Sequence, residues 1–79
     1  MKMFRLKNST YSTWHISFER GYSRDFSLCG NAKLLSEIES DAIDEKELVV
    51  EDFKDTGRLC PSCVLKAYQL GLICVRKVE

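Results

Sequence analysis

The segment Cys60-Pro61-Ser62-Cys63 spaces two thiols so that both sulfurs reach one metal ion, and the chain's only proline stiffens the turn between them. Proline is favoured at the first position of a helix, so a helix is expected to start at Pro61. Free backbone N–H groups and the positive end of the helix dipole then point at the two sulfurs and favour thiolate over thiol. Two further ligands are needed to complete a tetrahedral site. The sequence offers one histidine, His15, and two other cysteines, Cys29 and Cys74. A redox dithiol and one arm of a disulfide framework share the same local pattern. The redox motif belongs to a βαβ setting in a longer chain, and a structural disulfide needs an oxidising compartment.

The elements around His15 and Cys29 decide between these readings. Thr13 to Phe18 alternates, with Trp14, Ile16 and Phe18 on one face and Thr13, His15 and Ser17 on the other. Arg24 to Cys29 alternates as well, with Phe26 and Leu28 on one face and Asp25, Ser27 and Cys29 on the other. A short loop containing Gly21 joins the runs, which therefore read as a hairpin. Pairing Phe18 with Phe26 and Ile16 with Leu28 sets His15 opposite Cys29 on the second face. Facing residues of an antiparallel pair have Cβ atoms about 4.5–5.5 Å apart, which suits two ligands of one ion. The hydrophobic pattern alone selects this register. The expected ligand set is His15, Cys29, Cys60 and Cys63, a Cys₃His tetrahedron. Soft sulfur with imidazole selects zinc, and four protein ligands leave no position for a catalytic water. Cys74 is the alternative fourth ligand. It sits between Ile73 and Val75, where a free cysteine behaves as a small buried hydrophobe.

Elsewhere, Met3 to Lys7 reads as a first strand and Asn8-Ser9-Thr10 as a turn. Ala32 to Glu39 is expected to form about two helical turns, with Leu34, Leu35 and Ile38 inward. Glu47 to Phe53 reads as a strand or extended arm. After Pro61, Val64, Leu65 and Tyr68 make an apolar stripe, Gly71 follows the helix end, and Leu72 to Val75 is a last strand. The expected fold is a single small α+β domain over residues 1–79, zinc-stabilised, with an antiparallel hairpin or sheet packed against a C-terminal helix. A chain of 79 residues buries a thin core, so a metal staple contributes much of its stability.

Trp14-His15, Ser27-Leu28-Cys29-Gly30 and Cys60-Pro61-Ser62-Cys63 together resemble the ligand segments of small zinc-binding proteins of bacteriophages and bacteria. Those proteins carry a His, a Leu-Cys-Gly and a late Cys-x-x-Cys leading into a helix. The resemblance covers the ligand positions and their neighbours and departs in the long acidic stretch before Cys60. It implies a zinc site and a phage or mobile-element origin, and it implies no activity.

Composition bounds the function. The chain is 44% hydrophobic and 30% charged, as folded domains are. No apolar run has signal-peptide or membrane-span length, so a reducing cytoplasm is the expected compartment. Net charge is zero, yet residues 36–56 hold nine acids, Glu37, Glu39, Asp41, Asp44, Glu45, Glu47, Glu51, Asp52 and Asp55, against Lys46 and Lys54. This segment reads as an acidic insertion. Such asymmetry marks an interaction surface or a solvated loop. There is no Ser-His-Asp set and no phosphate-cradling glycine loop, so the chain reads as a non-enzyme. The leading expectation is a protein-interaction module that modulates a host protein through its acidic segment. The alternative is a nucleic-acid binder using Arg5, Lys7, Arg20, Arg24, Arg58, Lys66, Arg76 and Lys77, with Tyr11, Trp14 and Tyr22 stacking on bases. A pI near 6.6 weighs against it.

Overall fold

The computed structural model describes residues 1–7, 13–51, 53 and 55–75. The turn expected at 8–10, Tyr11, Asp52, Lys54, Arg76 and Lys77 lie outside the described residues. The fold is α+β. Strands β1 (Lys2–Leu6), β2 (His15–Arg20), β3 (Arg24–Ser27), β4 (Ala32–Leu34) and β5 (Ile38–Ala42) form one antiparallel sheet in the order β4-β3-β2-β1-β5. Helix α1 (Pro61–Gln69) follows, and β6 (Val49–Val50) pairs in parallel with β7 (Cys74–Val75). No helix of the described residues is long and apolar enough to cross a membrane.

The sheet is rolled. A single 3₁₀ turn, Leu35–Glu37, joins β4 at one edge to β5 at the other. Such a turn rises about 2 Å per residue, whereas a flat five-stranded sheet separates its edges by about 19 Å. Arg20 of β2 accordingly donates to Ser40 Oγ of β5 at 2.9 Å, across the intervening β1. Rolling gives the sheet two buried sides. Met3, Trp14, Ile16 and Leu28 join Leu59, Cys63, Val64, Ala67, Val50 and Ile73 in the cluster beneath α1. Phe4 and Ile38 are buried outside that cluster, and Asp25 is buried with its carboxylate satisfied. Asp25 accepts from Ser17 Oγ at 2.6 Å and pairs with Arg20 at 3.2 Å.

This architecture corrects four expectations. Residues 32–39 do not form two helical turns: Ala32, Lys33 and Leu34 pair with Phe26, Asp25 and Arg24, only Leu35–Glu37 makes a 3₁₀ turn, and the ladder overrides a short 3.6-residue pattern. In the hairpin, Ser17 faces Ser27 in the expected register, and Leu28 N–H donates to Ile16 C=O at 3.0 Å. A bulge at Phe18 then shifts the pairing, so Glu19 rather than Phe18 faces Phe26. Phe18 turns outward at 65% exposure and Phe26 is exposed too, while Asp25 and Ser27, expected outside, are buried. On α1 the inward stripe is Cys63, Val64 and Ala67; Leu65 and Tyr68 are exposed. The helix is rotated so that Cys63 points inward. Its end is as expected: Gly71 has φ of 74°, its N–H donates to Tyr68 C=O at 3.0 Å, and Leu72 N–H donates to Ala67 C=O at 2.9 Å. The acidic segment, expected as an insertion, supplies the edge strand β5, a 3₁₀ turn at Glu45–Leu48 and β6.

Candidate metal centre

Three separate pieces of backbone bring the ligands together. His15 opens β2, beside β1. Cys29 sits in the turn after β3, where Gly30 takes φ of 91° and Gly30 N–H donates to Ser27 C=O at 3.1 Å. Cys60 is the N-cap residue of α1 and Cys63 lies in its first turn. The Cys60 segment is clamped to β2 through Trp14, which bridges Leu59. Trp14 N–H donates to Arg58 C=O at 3.0 Å, and Cys60 N–H donates to Trp14 C=O at 2.7 Å. The Trp14 indole is buried, with the Arg5 and Arg58 guanidinium groups 4.6 and 5.5 Å from its ring centroid. Nothing in the residue pattern announces this clamp beyond Trp14 standing next to His15.

The four ligand atoms all lie within 4.8 Å of one another. His15 Nδ1 is 3.3 Å from Cys29 Sγ and 3.7 Å from Cys63 Sγ. Ideal tetrahedral bonds of about 2.0 and 2.3 Å put nitrogen and sulfur roughly 3.5 Å apart, so these separations suit one shared ion. The redox and disulfide readings account for two of the four groups; a metal centre accounts for all of them. Cys74 is exposed on β7, faces Val49, and is not part of the cluster. It is not the buried small hydrophobe expected of it.

The surroundings prepare the donors. Burial, and then the charge of Lys33, lower the His15 pKa, which keeps the imidazole neutral as a ligand must be. Burial opposes ionisation of Cys29, but hydrogen bonds led by Ser27 outweigh it and pull its pKa below the usual thiol value. Ser27 Oγ lies 3.0 Å from its sulfur, and Asn31 Nδ2 donates to it at 3.4 Å. Burial pushes the Cys63 thiol up to about 12, even with backbone donors from Ile16 and Cys29 directed at it. A sulfur so placed becomes a thiolate only beside a cation, which a bound metal supplies. Phe4, opposite His15 in the ladder, backs the imidazole with ring centroids 5.8 Å apart.

Two outcomes follow from this geometry. His15→Ala weakens metal retention in a chelator competition, whereas Cys74→Ser leaves stoichiometry and retention unchanged; the opposite pattern transfers the fourth ligand to Cys74. Acidification releases the ion, because protons compete for the same atoms. For His15 the sign is explicit. Its folded pKa lies below the ordinary 6.5, so the unfolded chain takes up the proton first, and stability is lost as pH falls through and below 6.5. Metal content measured against pH checks this, and retention that rises on acidification contradicts it.

The eight acidic positions of this segment that lie among the described residues do not converge on one point. Glu37 ends a 3₁₀ turn, Glu39 and Asp41 lie on β5, Glu45 and Glu47 occupy the second 3₁₀ turn with Asp44 as its cap, and Glu51 and Asp55 flank Phe53. Glu39 pairs with Arg5, and Arg58 pairs with Glu47 at 2.6 Å and Asp41 at 3.7 Å.

The fold and the cluster define a small α+β domain with a candidate His/Cys metal centre joining its sheet to its helix. Family models, curated proteins and solved structures contain no match to the chain.

Proposed function

We propose that the chain is a non-catalytic, zinc-stapled interaction domain that docks on a protein partner through its acidic segment and modulates that partner. Zinc follows from the donor set, three soft sulfurs and one imidazole, and a filled tetrahedron gives the ion a structural role. The resemblance to the ligand segments of small phage and bacterial zinc proteins supports the zinc and carries no activity with it.

The observation that carries the reading is how the charges are used. Arg5, Arg20 and Arg58 are each engaged with carboxylates of the same chain, and Trp14 is buried. These pairings offset charge that a nucleic-acid surface would need free, and the buried indole is not open to stacking on bases. Glu37, Asp44, Glu45, Glu51 and Asp55 are exposed and have no cation partner among the described residues. The competing reading retains Lys7, Tyr22, Arg24 and Lys66, all exposed.

A pull-down from lysate of the source cells tests the proposal. The wild-type chain retains a specific protein that a Glu37→Lys, Asp44→Lys, Glu45→Lys variant of normal metal content loses. Recovery of nothing specific, or a salt-sensitive gel shift of nucleic acid, overturns it.

A further inference from the structure

We infer that the outer edge of β5 receives an extended basic peptide as a further antiparallel or parallel strand. This rests on the reading of the acidic segment as a protein-docking surface and specifies its partner class.

Backbone parity sets which groups face outward. β5 pairs with β1 over five consecutive positions without a bulge. At the two ends of this ladder, Lys7 N–H donates to Glu37 C=O at 2.9 Å and Ile43 N–H donates to Met1 C=O at 3.1 Å. Hydrogen-bonded pairs alternate along an antiparallel ladder, so the odd-numbered residues bond to β1. The N–H and C=O groups of Ile38, Ser40 and Ala42 therefore point away from the sheet. Among the described residues no strand meets them. Only the Ala42 N–H is answered locally, by Asp41 Oδ1 at 2.8 Å.

Proteins usually guard such an edge with lysine, proline, a bulge or a covering element. β5, Ile38-Glu39-Ser40-Asp41-Ala42, contains no lysine or proline. Its guard is negative charge. Along the strand Glu39 is paired with Arg5 and Asp41 lies 3.7 Å from Arg58, while Glu37, Asp44 and Glu45, exposed just beyond its ends, have no cation partner among the described residues. That charge repels the β5 of a second copy and attracts a basic strand, which identifies the occupant. Side chains of an added strand come to about 4.5–5.5 Å from those they face, so a lysine or arginine opposite Asp41 competes with Arg58, and basic residues at the peptide's ends meet the unpaired Glu37, Asp44 and Glu45. The main chain contributes affinity and the alternating charge contributes selectivity.

The test is an amide NMR titration of the metal-loaded protein with an eight-residue peptide of alternating lysine and threonine. Two probes accompany it: the same peptide methylated at its internal backbone nitrogens, and an alternating glutamate–threonine peptide. The expected result is slowed hydrogen exchange at Ile38 and Ser40, no binding of the acidic peptide, and binding of the methylated peptide weakened about tenfold or more, as loss of several backbone bonds requires. A Ser40→Pro variant with normal metal content loses the effect. Equal binding of the methylated peptide, with shifts spread over Asp44 to Asp55, overturns strand addition while leaving acidic docking intact. No binding of any peptide, together with an empty pull-down, overturns both.

Discussion

Cys63→Ser is expected to turn a folded domain into a largely unfolded chain that no longer holds metal. Cys63 is fully buried, belongs to the core cluster beneath the sheet, and directs its sulfur at His15 Nδ1. It is at once a candidate ligand and a buried residue of the inward stripe of α1. A structural zinc contributes about 10–16 kcal/mol at neutral pH in small domains, whereas whole domains are stable by only about 5–15 kcal/mol. Losing one of four ligands therefore outweighs any margin a core of this size has. Circular dichroism melts with and without added zinc measure it, with Cys74→Ser as the control for thiol loss. A Cys63→Ser melt that overlays the wild type removes the metal from any structural role.

Phe4→Ala is expected to have the next largest effect, a loss of about 3–5 kcal/mol. Phe4 has no exposed surface, lies inside the rolled sheet, and faces His15 on β2 and Ser40 on β5. Truncation leaves a cavity that neighbouring strands cannot fill, because the ladders on both sides hold β1 in place. It also removes the ring that backs the imidazole, so metal retention is expected to weaken together with the melting temperature. Phe18→Ala is the internal comparison. That ring is outside, and its loss falls within the small range of surface changes. Similar melting shifts for Phe4→Ala and Phe18→Ala contradict the rolled-sheet assignment.

The ligand cluster was legible because two independent signals agreed. Ile16 and Leu28 are buried as the alternation predicts, and that register carries His15 toward Cys29. Pro61 and Gly71 marked the helix ends, since each has a backbone requirement local to its own position. What failed was the sidedness of the hairpin toward its loop, at Phe18 and Asp25 to Ser27. A flat hairpin has one apolar face; a rolled sheet also buries its concave side, so Asp25 and Ser27 went in and Phe26 stayed out. The bulge at Phe18 has no signal in residue types. Leu34, Leu35 and Ile38 have helical spacing, yet they fall on two strands and the tight turn that closes the roll. The acidic segment read as an insertion by its charge, but β5 completes the sheet, and Arg5 and Arg58 tie it to the wall around Trp14.

The most direct measurement is native mass spectrometry of freshly purified protein, repeated after chelation and paired with a one-dimensional NMR spectrum of each sample. One zinc per chain is the predicted mass increment, lost in chelator along with the dispersed amide signals. A metal-free mass with a dispersed spectrum that chelator does not alter contradicts the account at its root.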